Sequence, residues 1–213
     1  MVDKLFKSTK LNYFFIKKEI LLESQKYNSL VREIVKHIVY IFKNNSEGEF
    51  YLPYDVNNNE EYEFKDIYLS LELILEKSKE TEEFLTNAEF YPQENVVSIK
   101  IVYNPRNKSN LIYNLIGELN EVITHEITHL HQRHNELFYS NNIMNGDEGF
   151  NYYTKPEEID AQYYGFKRMS KITKKPFEDL VRNWFKKYKD IHQMNNEDSD
   201  KVINMILNYK SKT

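Results

Sequence analysis

Apolar positions along this 213-residue chain recur first at helical spacing, then in alternation, then at helical spacing again. Residues 11–44 predict two helices. Leu11, Phe14, Phe15, Ile20, Leu21 and Leu22 are too dense for one narrow stripe, whereas Leu30, Ile34, Ile38, Ile41 and Phe42 follow three- and four-residue steps. Asn44-Asn45-Ser46 and Gly48 close this unit, and Asn57-Asn58-Asn59 marks a turn. Over 66–76, Ile67, Leu69, Leu71, Leu73 and Leu75 alternate with mainly polar residues. That predicts a strand with one buried face, with a helix open as the alternative because Leu and Glu favour it. Residues 77–87 read as polar turn or a short helix. Val97, Ile99, Ile101 and Tyr103 alternate again and, being largely β-branched, predict a strand over 96–103 that Asn104-Pro105-Arg106-Asn107 stops.

Beyond that stop, Ser109 or Asn110 is placed to cap a helix. Leu111, Leu115, Leu119, Val122, Glu126 and Leu130 carry it to about Arg133. Residues 136–155 lack periodicity and predict a long functional loop, a lid or specificity wall. Lys155-Pro156 opens another helix, with Ile159, Tyr163, Phe166 and Met169 on its inner face. Lys175-Pro176 begins a further helix through Trp184 and Phe185, and Asp198 or Ser199 a last one through Ile206. The expected fold class is α+β. A small mixed twisted sheet from about 50–103 packs on the helix that follows it, and the C-terminal half is mainly helical. One domain spans 1–213, with 1–45 a helical N-terminal extension and 171–213 the C-terminal helices.

Composition narrows the function classes. The chain is 40% hydrophobic and 29% charged, enough apolar residue for a real core. A net charge of −4 leaves no electrostatic footprint for nucleic acid or an anionic membrane, so neither is an expected partner. The run at 11–16 is short, contains Asn12 and stops at Lys17-Lys18, which fits an amphipathic helix and not a signal peptide. No stretch approaches the roughly 18 apolar residues of a membrane span. There is no cysteine, so disulfides and thiolate metal sites are excluded and any zinc must be held by His, Asp or Glu. A reducing compartment fits, and the expected location is cytoplasmic, or virion-associated for a viral protein.

The candidate chemistry lies in His125-Glu126-Ile127-Thr128-His129. A four-residue helical step is about 400° of rotation, so the two imidazoles share one face, one turn apart. Rings so placed can grip one Zn²⁺ through a nitrogen each. Glu126, about 100° round from His125, is out of line to join them but close enough to reach a water held there. A catalytic zinc needs a third ligand. His131 and His134 lie about 240° and 180° from His125 and cannot turn back while the helix persists. Asn135 and Gln132 stand where a metzincin has its third histidine and its glycine, so the three-histidine pattern fails. The remaining candidate is Glu158, on the helix after Pro156, with the small Ala161 on the same side to let two helices approach. Glu157 in its place stays open, as do two acidic residues serving only the helix dipole and two histidines with no metal.

His125-Glu126-x-x-His129 followed by Glu158-x-x-Ala161 resembles the gluzincins, zinc metallopeptidases of the thermolysin-like superfamily, and is most similar to compact phage and microbial zincin-like proteins. The resemblance spans about residues 96–166. It implies a zincin-like fold, His125, His129 and Glu158 as ligands of Zn²⁺, Glu126 as general base, and a peptide or protein substrate lying along the 96–103 strand. Where that pattern has an Asp four residues past the ligand Glu, this chain has Gln162, with Asp160 nearby as a substitute. Tyr152, Tyr153 and His192 are candidate transition-state donors, with packing the default for the tyrosines and the surface the default for His192, His37, His131 and His134. Two other readings stay open. One is a zincin-like scaffold without catalysis, whose helices at 11–44 and 176–212 bind a viral partner. The other is a protease dedicated to one regulatory protein.

Overall fold

Strands form where alternation is strongest, and their buried residues define a single inner face. A computed structural model describes residues 28–45, 47–55, 68–79, 84–91, 93–134 and 149–209. Helix α1 (28–44) leads into β1 (Gly48–Asp55), β2 (Tyr68–Lys77), β3 (Phe84–Tyr91) and β4 (Val96–Tyr103). A 3₁₀ turn then opens α2 (Lys108–His134), followed by α3 (Gly149–Tyr153), α4 (Pro156–Thr173), α5 (Phe177–Tyr188) and α6 (Asn196–Leu207). The architecture is mixed α and β. Of the 11–44 region expected to form two helices, residues 11–27 lie outside the described residues, as do Ile67, the Asn57–Asn59 turn and most of the 136–155 loop.

The sheet order is β1-β2-β4-β3, with β2 and β4 parallel and the other pairs antiparallel. Leu69, Leu71, Leu73 and Leu75 of β2 and Val97, Ile99, Ile101 and Tyr103 of β4 are all buried, as their alternation requires. Leu30, Ile34, Ile38 and Phe42 of α1 and Leu111, Leu115, Leu119 and Ile123 of α2 join the same core. Both helices therefore cover one face of the sheet.

Four sequence expectations need correction. Residues 84–91 form a strand, not a turn or short helix. The inward positions of β3 are Phe84, Thr86, Ala88 and Phe90, and the two small ones between the phenylalanines hide its period. The 96–103 strand lies in the sheet interior between β2 and β3, so both its hydrogen-bonding edges are used and no substrate can pair with it. The cap before α2 lies further upstream: Asn104 accepts from the Arg106 N–H at 3.0 Å at the head of the 3₁₀ turn. The last helix is capped by Asn195, which accepts from Asp198 N, and starts two residues earlier than expected.

The C-terminal helices build a second core from Ile159, Phe166, Leu180, Val181, Phe185, Val202, Ile203 and Ile206. Helices α2 and α4 join the two cores by packing along their length. The approach is close because small residues line it. Ala161 is fully buried, and a Cβ on Gly165 would lie 2.9 Å from the Glu121 carbonyl oxygen and 3.0 Å from its Oε1. Arg168 of α4 also donates to Asn120 of α2 at 2.8 Å and to Asn28 of α1. At the sheet edge, Thr86 of β3 donates to Glu118 of α2 at 3.0 Å, and Lys187 and Tyr188 of α5 reach the same carboxylate. This carboxylate fixes β3 and α5 relative to α2.

Candidate metal centre

His125 and His129 lie on consecutive turns in the C-terminal half of α2, on the side turned towards α4. Pro156 sets the first turn of α4, and Glu158, two residues on, is buried against the two rings. The Nε2 atoms of His125 and His129 are 3.0 Å apart. His129 Nε2 lies 3.2 Å from Glu158 Oε1, and His125 Nε2 lies 3.5 Å from Glu158 Oε2. Two ligand atoms each about 2.0–2.1 Å from a tetrahedral ion sit roughly 3.3 Å from one another. The three observed separations bracket that value.

The hydrogen-bond inventory supports the same arrangement. His129 presents Nδ1 to Gln132 Oε1 at 2.9 Å. An amide oxygen only accepts, so Nδ1 carries the proton and Nε2 is left with its lone pair. Gln132 is held in turn, donating to the Glu157 carbonyl at 2.9 Å and to Asp160 Oδ2 at 3.1 Å. Buried Glu158 Oε2 has no hydrogen-bond partner, and neither has His125 Nδ1. The His129 Nε2 lone pair and the unpartnered Glu158 oxygen are electron donors turned into one small space, a set that a cation satisfies. The residues fit a divalent metal.

Without an ion, the charges shift accordingly. Burial opposes ionisation of all three residues, but their mutual attraction wins. The histidines hold the Glu158 carboxyl far below its usual range, while Glu158 and Glu126 lift His125, and Glu158, Glu126 and Gln132 lift His129 to about 9. Glu126 Oε1 lies 4.0 Å from His125 Nε2, beside the cluster but outside it, and burial pushes its carboxyl up. Glu157 contributes its carbonyl to Gln132, and its carboxylate does not join the group. Among the described residues, only His125, His129 and Glu158 form such a group.

A cleft of about 700 Å³ opens on this centre, walled by β3, α2, α3 and the turn after α5. His125 and Glu126 lie in its wall. So do Tyr152 and Tyr153, from the short α3 helix that the aperiodic stretch concealed. Burial, then the Glu158 and Glu126 carboxylates and a hydrogen bond with Glu158, keep the Tyr152 hydroxyl protonated well above its ordinary range. His192 also faces the cleft. Its ring stacks on Trp184 at 5.3 Å and 12°, and burial lowers its pKa. This histidine is a wall residue and not a surface one. His37 meets the Tyr54 hydroxyl at 2.9 Å on the sheet, and His131 is half-buried outside the group. The His134 side chain lies outside the described residues.

Two wall or support residues escaped the sequence reading. Gln132 stood out only as a mismatch to another pattern, although its i,i+3 spacing from His129 places both on one face. Glu121, one turn before His125, is buried in the cleft wall, and burial pushes its carboxyl up to about 8. Comparison with known proteins returns no matching family model, no matching curated sequence and no matching solved structure. Among the described residues, no helix is long and apolar enough to cross a membrane.

Proposed function

We propose that this chain is a zinc-dependent metallopeptidase of the gluzincin type, with His125, His129 and Glu158 holding the metal and Glu126 as general base. The observation that carries the reading is the meeting of both Nε2 atoms and the Glu158 carboxylate at one point of a cleft wall, with Glu126 beside them. Two imidazoles and a carboxylate suit zinc and leave its fourth position open. Zinc held there supplies an acidified water and a polarised carbonyl. The Glu126 carboxylate takes the proton of the attacking water and passes it to the leaving amine. Tyr152, kept neutral, donates its hydroxyl hydrogen to the developing oxyanion, and His192 is the second donor candidate.

The substrate is an extended peptide. It lies along β3, the outer strand that lines the cleft and has no strand beyond it among the described residues. The absence of cysteine supports a cytoplasmic place of action. Hydrolysis of unstructured peptides by zinc-loaded protein, stopped by a chelator and by Glu126→Gln with zinc still bound, is the expected result. Zinc-loaded protein that leaves every peptide intact would instead favour the scaffold reading, in which the metal only stabilises the fold.

A further inference from the structure

The cleft holds a second polar feature that neither metal binding nor proton transfer uses. Glu121 is 3% exposed, lines the cleft, and has no hydrogen bond or ion pair among the described residues. A buried carboxyl without a donor is costly, and native folds retain one where a ligand satisfies it. On α4, Gln162 is 4% exposed, lines the same cleft, and its Oε1 lacks a donor. One turn beyond Gln162 on α4, a Cβ added to Gly165 would lie 3.0 Å from Glu121 Oε1, so the two residues sit on adjoining stretches of the packed helices. Gln162 Oε1 is an acceptor without a partner, and the Glu121 carboxyl offers its oxygens to the same cleft. What is missing is a donor with several N–H bonds and a positive charge.

The rest of the cleft agrees. Glu89, Glu121 and Glu126 line it, and the one Lys or Arg among the described residues of its wall, Lys100, is already paired with Glu76 at 2.6 Å. A cationic group entering the cleft therefore meets three carboxyl groups, and among the described residues of the wall no unpaired Lys or Arg competes for them. Position decides which cationic group fits. Glu121 precedes His125 by one helical turn, a rise of about 6 Å along α2. The carboxyl thus stands to one side of the reacting centre, where the flexible stem of a lysine or arginine can carry its charge.

We propose that Glu121, assisted by Gln162, is a specificity subsite that selects peptides carrying a lysine or arginine beside the bond to be cut. The proposal rests on the peptidase reading. A charge-assisted hydrogen bond in a water-poor site discriminates against a neutral isostere by on the order of 10- to 100-fold.

The test uses capped neutral peptides with lysine scanned through each position, and a matched set with norleucine. Zinc-loaded wild type should cleave the best lysine peptide at least about 10-fold faster, by kcat/KM, than its norleucine match. In Glu121→Gln, which keeps the side-chain shape, that ratio should fall towards unity, and Glu121→Leu should do the same. A ratio unchanged in both variants, or a norleucine preference in wild type, overturns the proposal. Binding of the same pairs to zinc-loaded Glu126→Gln separates the two readings. Lysine preference in binding that vanishes in Glu121→Gln/Glu126→Gln, with no cleavage by wild type, upholds the subsite and removes the peptidase. Equal binding of both peptides, or none, removes the subsite.

Discussion

The Gln132 side chain accepts the Nδ1 hydrogen of His129 at 2.9 Å and spends its own amide hydrogens on α4, at Asp160 and the Glu157 carbonyl. One residue thus orients the ring of a candidate ligand and links it to the helix that carries Glu158, the proposed third ligand. Partners of this kind typically contribute 10- to 100-fold in metal affinity. Gln132→Leu is therefore expected to weaken zinc binding by about that factor, read by competition with a chromophoric chelator. Gln132→Glu keeps an acceptor for Nδ1 and should lose less. Equal affinity in Gln132→Leu and wild type would show that ring orientation is set elsewhere.

Gly165 lies in the close contact between the helices that carry the proposed ligands. On an exposed helix, Gly→Ala stabilises by about 1 kcal/mol. Here the added Cβ would stand 2.9 Å from the Glu121 carbonyl oxygen, a backbone atom that cannot swing aside. Overpacking of this type costs on the order of 1–3 kcal/mol, so the clash should win. Gly165→Ala is expected to lower the urea midpoint at unchanged slope and, by moving Glu158 away from the rings, to reduce zinc affinity. A stabilised variant would mean that the α2–α4 contact is looser than its geometry states.

Chelator-treated protein should lose thermal stability as pH rises through neutrality. His129 is lifted from 6.5 to about 9 in the fold, so its contribution is complete below about 6.5 and is lost as pH climbs through about 9. Glu121 is lifted from 4.5 to about 8, so the fold binds its proton more tightly than the unfolded chain does. Stability from that group also falls with rising pH, between about 4.5 and about 8. Glu121→Gln should flatten the slope by removing the second contribution, and zinc should flatten it by displacing the His129 proton. Melting curves at several pH values read both effects. Identical slopes in Glu121→Gln and wild type would contradict the burial of an unpartnered carboxyl.

Substrate pairing along β3 makes a separate prediction. Peptides N-methylated at alternating amides cannot complete a main-chain ladder. They should lose most of their kcat/KM, while methylation at the intervening positions, whose N–H groups point away from the strand, is tolerated. Uniform tolerance would mean that side chains alone hold the substrate.

The legible parts of this chain were those set by local periodicity. β2 and β4 announce themselves because leucines and β-branched residues fill every inward position. The His125/His129 pair could be read because helical spacing alone fixes two rings on one face. β3 was hidden because Thr86 and Ala88 suffice where α2 presses close, while Leu85 points outward and is exposed. Strand order was not legible either, since alternation shows which face is buried and not which strand lies beside which. That is why the sequence points to the 96–103 strand as the substrate's partner, although β3 holds the outer place beside it. Gln132 and Glu121 gain meaning only from α4, and a tertiary contact leaves no periodic trace in either segment.

Metal content measured on purified protein tests the central claim most directly. Wild type should carry stoichiometric zinc, and His129→Ala and Glu158→Ala, still folded by circular dichroism, should carry almost none. Wild type without bound metal after zinc loading, or zinc retained in both variants, would contradict a centre built from those three side chains.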